Sequence, residues 1–211
     1  MTYASSIKAM LLAVCLPVLT GCSAISAIGD ATTALSVYEL RVPPELPVSQ
    51  RRALQRDVVI ELPTSGGALA TDRIMVRPSA LQAEYLSEVR WSEPTPVMVQ
   101  TLMLRTLDAT QGLRYVGRRP LGASGDYAIV SELVDFQAVL APESETATVE
   151  VRLIARIVRE SEVRIVASRT FAASVPAASS ETTVLVGAFD TAVAQVMTEF
   201  AGWALASVRA N

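Results

Sequence analysis

Ala147-Thr148-Val149-Glu150-Val151-Arg152-Leu153-Ile154-Ala155-Arg156-Ile157-Val158 reads as a β-strand with one dry face and one wet face. Val149, Val151, Leu153, Ala155 and Ile157 point one way, and Glu150, Arg152 and Arg156 point the other. The chain then turns at Arg159-Glu160-Ser161-Glu162, and Val163 to Phe171 returns as a second strand with Ile165 and Ala167 expected inward. Upstream, Tyr127 to Phe136 is apolar on both faces, as a central strand would be. Together these three stretches predict an antiparallel meander.

Working outward, helical periodicity replaces the period of two on both sides. Ser179 and Ser180 are positioned to cap a helix over Glu181 to Val208. Its Leu185, Phe189, Ala192, Val193, Val196, Phe200, Trp203 and Ala204 form one continuous stripe. Gly187 and Gly202 each cost about 1 kcal/mol inside a helix, so close packing is expected at both. A shorter helix starts at Pro94-Thr95-Pro96, with Thr95 as cap and Pro96 in the first turn. Val99, Leu102, Met103 and Leu107 share its apolar face, and Gln111-Gly112 stops it. Short strands are expected at Val37 to Leu40 (before Pro43-Pro44), Asp57 to Glu61, Arg73 to Arg77 and Leu113 to Arg118. Loops fall at Pro63 to Gly67 and Gly122 to Gly125. Glu84 to Trp91 fits either period, and its aromatic and β-branched residues favour a strand. The pattern is α+β: a mixed, largely antiparallel sheet with two helices packed on one face, forming a single domain over residues 37–211.

The N-terminal stretch reads differently. Lys8 precedes an apolar run from Ala9 to Leu19, which is the layout of a secretory signal. The run is too short for a membrane-spanning helix, which needs roughly 20 apolar residues. It ends at Leu19-Thr20-Gly21-Cys22, which resembles the bacterial lipobox. That resemblance implies cleavage between Gly21 and Cys22, diacylglycerol on the Cys22 thiol and an acyl chain on its amine. Residues 1–21 are then the signal peptide. Residues 22–36, small and polar, form a flexible tether reaching roughly 45 Å at ~3.3 Å per residue. Two or more acyl chains suffice for stable attachment to a bilayer. Ser23 after the cysteine implies, by the enterobacterial sorting rule, the outer membrane.

Composition narrows the chemistry. With 51% hydrophobic and 18% charged residues the chain is globular in type. Its formal charge of −3 becomes −4 once Lys8 leaves with the signal, and no basic stripe suits nucleic acid. Lys8 is the only lysine, histidine is absent, and the cysteines are Cys15 and Cys22. A phosphate-loop lysine, a Ser-His-Asp triad, a catalytic cysteine and a His- or Cys-based zinc site are therefore excluded from the exported domain. No cofactor or metal is expected apart from the covalent lipid on Cys22.

The run Thr71-Asp72-Arg73-Ile74-Met75-Val76-Arg77, Tyr85, Arg90-Trp91-Ser92-Glu93-Pro94, Leu102 and Leu107 resembles the ABC-type transport auxiliary lipoprotein family, which includes the paraquat-inducible-type lipoproteins. Tyr38-Glu39-Leu40, the strand from Tyr127, Ala188-Phe189 and Trp203 extend the resemblance over nearly the whole mature chain. It implies a non-enzymatic subunit that docks a periplasmic MCE-domain assembly at the outer membrane, where such systems move lipid or hydrophobic solutes. Asp72, Arg73, Trp91 and Pro94 are the candidates for docking that partner or a second copy of the chain in a homo-oligomer. The competing reading of the same residues is structural, with Trp91 in the core and Pro94 starting a helix. The sequence also admits two other functions. A lipid carrier or chaperone is suggested by the apolar bias, which a packed core explains equally well. A hydrolase using only carboxylates would draw on Glu132 and Asp135, or on Glu143 and Glu145, pairs that read more simply as solvated charges.

Overall fold

A computed structural model describes residues 35–46, 52–119, 125–142 and 145–211. The signal segment, Gly21, Cys22, the tether up to residue 34 and most of the Gly122 turn lie outside the described residues. Ser36–Asn211 forms one compact unit. Its elements are β1 (Ser36–Tyr38), β2 (Leu54–Ile60), β3 (Thr64–Ser65), β4 (Met75–Ser79), β5 (Gln82–Tyr85), β6 (Val89–Trp91) and α1 (Thr95–Ala109). Then come β7 (Leu113–Gly117), β8 (Tyr127–Leu140), β9 (Ala147–Arg159), β10 (Arg164–Ala177) and α2 (Thr182–Ala210).

The expected meander is present. β8, β9 and β10 pair antiparallel along their whole lengths, and Ala147, Val149, Val151, Leu153, Ala155 and Ile157 of β9 are all buried. The other edge of β8 is divided among three short parallel partners. β2 takes Tyr127 to Ile129, β3 takes Glu132 and Leu133, and β4 takes Ala138 and Val139. β7 pairs parallel with β2, and β1 forms a separate parallel pair with β6. The sheet is thus mixed, with its long ladders antiparallel. α2 lies on β9 and β10, and α1 lies on β2 and β7 and against α2. The α2 stripe is buried from Leu185 to Val208.

Several local expectations are corrected. Ile165 points to solvent, 56% exposed, because the ladder slips between Ile165 and Ala167. The extra residue reverses the alternation, so Ile165 sits opposite Val158 on the wet face while Phe171 and Ala173 are buried. Gly187 and Gly202 show no close packing: a Cβ at either would meet nothing within 4 Å. Close approach occurs instead at Gly112, where a Cβ would lie 2.5 Å from Leu205 Cδ2. Thr95 is not the cap of α1; its hydroxyl donates to the Thr71 carbonyl at 2.9 Å, and Pro94 holds the cap position. Ser179 and Ser180 likewise do not cap α2, whose cap position is Glu181 without a side-chain bond. Glu84 to Trp91 is not one strand. Glu88 takes φ 60°, which separates β5 from β6 and lets Trp91 turn into the core. The strand expected over Arg73 to Arg77 is read as placing its arginines outward and Ile74 and Val76 inward; instead Ile74, Met75 and Val76 are all buried in succession, since β4 is an internal strand between β5 and β8.

Candidate functional site

Asp72, Arg73, Trp91 and Pro94 come together at one corner, built where β1, β6 and the start of α1 meet the loop before β4. Trp91 is 1% exposed and meets Phe136 and Phe189 edge-on, with centroids 6.0 and 5.3 Å away. Phe136 and Phe189 stack at 5.1 Å. Offset and edge contacts of this kind add about 0.5–1.5 kcal/mol per pair to the area buried. The backbone closes the corner: Trp91 N–H donates to the Asp72 carbonyl at 2.7 Å, and Ser92 N–H to the Tyr38 carbonyl at 2.8 Å. The Thr95 N–H reaches the Thr71 carbonyl at 2.9 Å, which ties the α1 start to the same loop.

At the surface of this corner, Asp72 accepts from Arg90 at 3.3 Å, and the Arg73 guanidinium lies 4.6 Å above the Tyr85 ring. The Tyr85 hydroxyl donates to the Ala68 carbonyl at 3.0 Å. Pro94 is exposed, and its carbonyl accepts from Val97 and Met98 as α1 begins. Three of the four residues therefore reach solvent, whereas Trp91 holds the corner from beneath. None of the four lines the polar cleft at the other end of β8.

Nine residues back along β8, at the Tyr127 end, is a polar cleft of about 590 Å³ lined by Arg56, Asp57, Arg114, Asp126, Arg159 and Glu160 among others. Its charges are matched within the protein. Arg114 grips both oxygens of Asp57 at 2.7 Å, and Arg56 faces Asp126 at 3.8 Å. The guanidinium hydrogen bonds of Arg114 hold the Asp57 carboxyl below the usual carboxylate range. Arg119 bridges Glu61 and Glu160. The carboxylates weighed for hydrolysis are not assembled: Glu132 is exposed, Asp135 is paired with Arg152, and Glu143 lies outside the described residues. Among the described residues no cluster of three or more acidic, Cys or His side chains could hold a metal.

The turn expected at Arg159 to Glu162 is present, but the sequence reading passed over the backbone conformation of the residue that follows it. Glu160–Glu162 forms a 3₁₀ turn, and Val163 follows at φ 50°, ψ 41°, in the left-handed region, 87% exposed. The signal was present: the hairpin contains neither Gly nor Asn, the residues that accept this conformation without strain.

Among the described residues the aromatic side chains pack on one another in the core and many surface charges are paired within the chain. Residues 38–201 match the model of the ABC-type transport auxiliary lipoprotein component, and the chain belongs to that family. It is 29% identical to an uncharacterized protein of Bradyrhizobium diazoefficiens over 184 residues. That match covers 85% of this chain and 47% of the relative, so the chain spans about half of that protein's length. Its fold resembles a crystal structure of a Xanthomonas campestris protein of the DUF330 family. The TM-score is 0.75 at 24% identity, covering 83% of this chain and 97% of the other. A second uncharacterized structure matches at TM-score 0.59 and 14% identity, over 80% and 97% of the two chains.

Proposed function

We propose that the chain is a non-enzymatic lipoprotein subunit of an ABC/MCE-type intermembrane transport system, anchored through Cys22 at the periplasmic face of the outer membrane. There it would dock the MCE-domain protein that carries lipid or another hydrophobic solute. The observation that carries this reading is the family match, which runs from β1 into α2. The lipobox at Leu19 to Cys22 agrees with it. ATP hydrolysis belongs to another subunit, in keeping with the absence of any lysine in the mature chain for a phosphate-binding loop.

The exposed part of the β1–β6 corner, Asp72, Arg73 and Pro94, is offered as one docking surface, with Trp91 supporting it. The carrier reading finds less support. Trp91, Phe136 and Phe189 fill the interior by packing on one another, as do Phe171, Phe200 and Trp203. The test is purification of the tagged lipoprotein in mild detergent, with mass spectrometry of the proteins and lipids that accompany it. An MCE-domain protein without stoichiometric lipid is the expected result. Stoichiometric phospholipid without such a partner overturns the docking reading in favour of a carrier.

A further inference from the structure

β10 is the last strand of the eight-stranded sheet, and among the described residues no strand pairs with its outer edge. An exposed edge offers a row of unpaired N–H and C=O groups, and folded proteins blunt such rows with proline, charge or a bulge. β10 carries a bulge and a proline only at the two ends of one stretch. The ladder with β9 slips at Val166, between Ile165 and Ala167, and Pro176 lies opposite Thr148. Between these points Ala167 to Val175 run in unbroken register. Ser168, Thr170, Ala172 and Ser174, on the wet face of this stretch, are exposed and uncharged. Its one charge is turned back over the domain. Arg169 donates to Glu199 of α2 at 2.9 Å, and its guanidinium lies 5.1 Å from the centre of the Phe171 ring.

The phase of the free backbone groups follows from Pro176. A proline in an edge strand sits where the missing N–H would face away from the neighbouring strand. Ser174, Ala172, Thr170 and Ser168 share that phase, so their N–H and C=O groups point off the edge. A row of donors and acceptors at this spacing is matched by another strand, which a lipid surface does not provide.

We propose that this edge pairs with β10 of a second copy of the chain, antiparallel about a two-fold axis at Phe171. The limits of the stretch select this occupant. Val166 and Pro176 each lie five residues from Phe171. In that register each Pro176 meets the slip of the other strand, and the two pairable stretches begin and end together. Ser168 faces Ser174 of the partner subunit, Thr170 faces Ala172, and Arg169 faces Ala173, so no like charges are opposed. Each outward residue exchanges its N–H and C=O with the one it faces. The helix layer fits the same arrangement. α2 lies over β9 and β10, so its symmetry mate is two strand spacings away, about 10 Å, the distance at which helices pack. Trp203, half-buried against Phe171 at 5.4 Å, is beside the axis.

The test uses two differently tagged full-length copies produced together, one with Ser168→Cys and the other with Ser174→Cys, treated with a mild oxidant. Facing Cα atoms in a hydrogen-bonded antiparallel pair are about 5.5 Å apart, within reach of a disulfide. Position 168 of one copy lies six residues along the strand from position 168 of the other, roughly 20 Å and out of reach. A disulfide between positions 168 and 174 that joins the two tags is expected from the mixture, with none between copies when either variant is made alone. No disulfide in the mixture, equal yields from the single variants, or a disulfide only to another protein overturns the proposal. Thr170→Pro in both copies removes an outward N–H. It is expected to lower the mixed disulfide about 10-fold while the far-ultraviolet circular dichroism stays that of the folded domain. An unchanged yield from the folded variant also overturns the proposal, and the cysteine pairs keep the test decisive if that variant does not fold.

Discussion

The two ends of the sheet use apolar residues in opposite ways. At the β1–β6 corner Trp91 is 1% exposed and enclosed by Phe136 and Phe189, and the N–H groups of Trp91, Ser92 and Thr95 donate to the carbonyls of Asp72, Tyr38 and Thr71. At the β9–β10 turn Val163 is 87% exposed in a strained backbone conformation, and Ile165 faces water. One end is optimised for folding; the other departs from that optimum.

The contrast can be broken most directly at the corner. Trp91→Ala is expected to lower stability by about 3–5 kcal/mol, since it empties a ring-lined site that cannot collapse. Denaturant unfolding checks this, and a loss under 1 kcal/mol would mean that the corner is looser than its ring contacts imply. At the other end the sign reverses. Val163→Asn should stabilise the domain by about 1 kcal/mol through relief of the left-handed backbone, read as a shift in the unfolding midpoint without a change in slope.

Gly202→Ala and Gly187→Ala sharpen the comparison, because α2 also carries a suboptimal choice on an exposed face. Each is expected to add about 0.5–1 kcal/mol, given helical backbone and open space around both positions. The smallest effect is that of pH. Hydrogen bonds from Arg114 lower the Asp57 pKa, and those from Arg159 and Arg164 lower that of Glu162. Folded pKa values below the unfolded ones add stability above the ordinary carboxylate range, and that stability is lost as pH falls through the lowered values. With no histidine in the chain, thermal unfolding should be nearly flat from about pH 5 to 8 and decline below about pH 4.

Much of the fold was legible because it is written in local periodicity. β9 alternates as its sequence does, β8 is a central strand, and the apolar stripe of α2 is buried as expected. The misses arise where a non-local contact decides. The slip that exposes Ile165 depends on the register against β9, which the residues of β10 alone do not encode. Thr95 has the chemistry of a cap, but tertiary packing gives its hydroxyl the Thr71 carbonyl. The helix glycines look alike in sequence to glycines at close contacts, yet those that face one, such as Gly112 and Gly117, lie outside both helices. Asp72, Arg73, Trp91 and Pro94 do converge, yet the burial of Trp91 depends on Phe136 and Phe189, both distant in sequence. The strain at Val163 was readable from a turn lacking Gly and Asn, although its conformation was not.

The proposed transport role depends on the anchor, so the most direct measurement is the intact mass of the protein extracted from membranes of its own host. The expected species begins at Cys22, carries diacylglycerol and an amide-linked acyl chain, and does not react with an amine-directed dye, because Lys8 has left with the signal. A chain that retains Lys8, or one that begins near Cys22 with a free thiol and no lipid, would contradict the anchor and the role that rests on it.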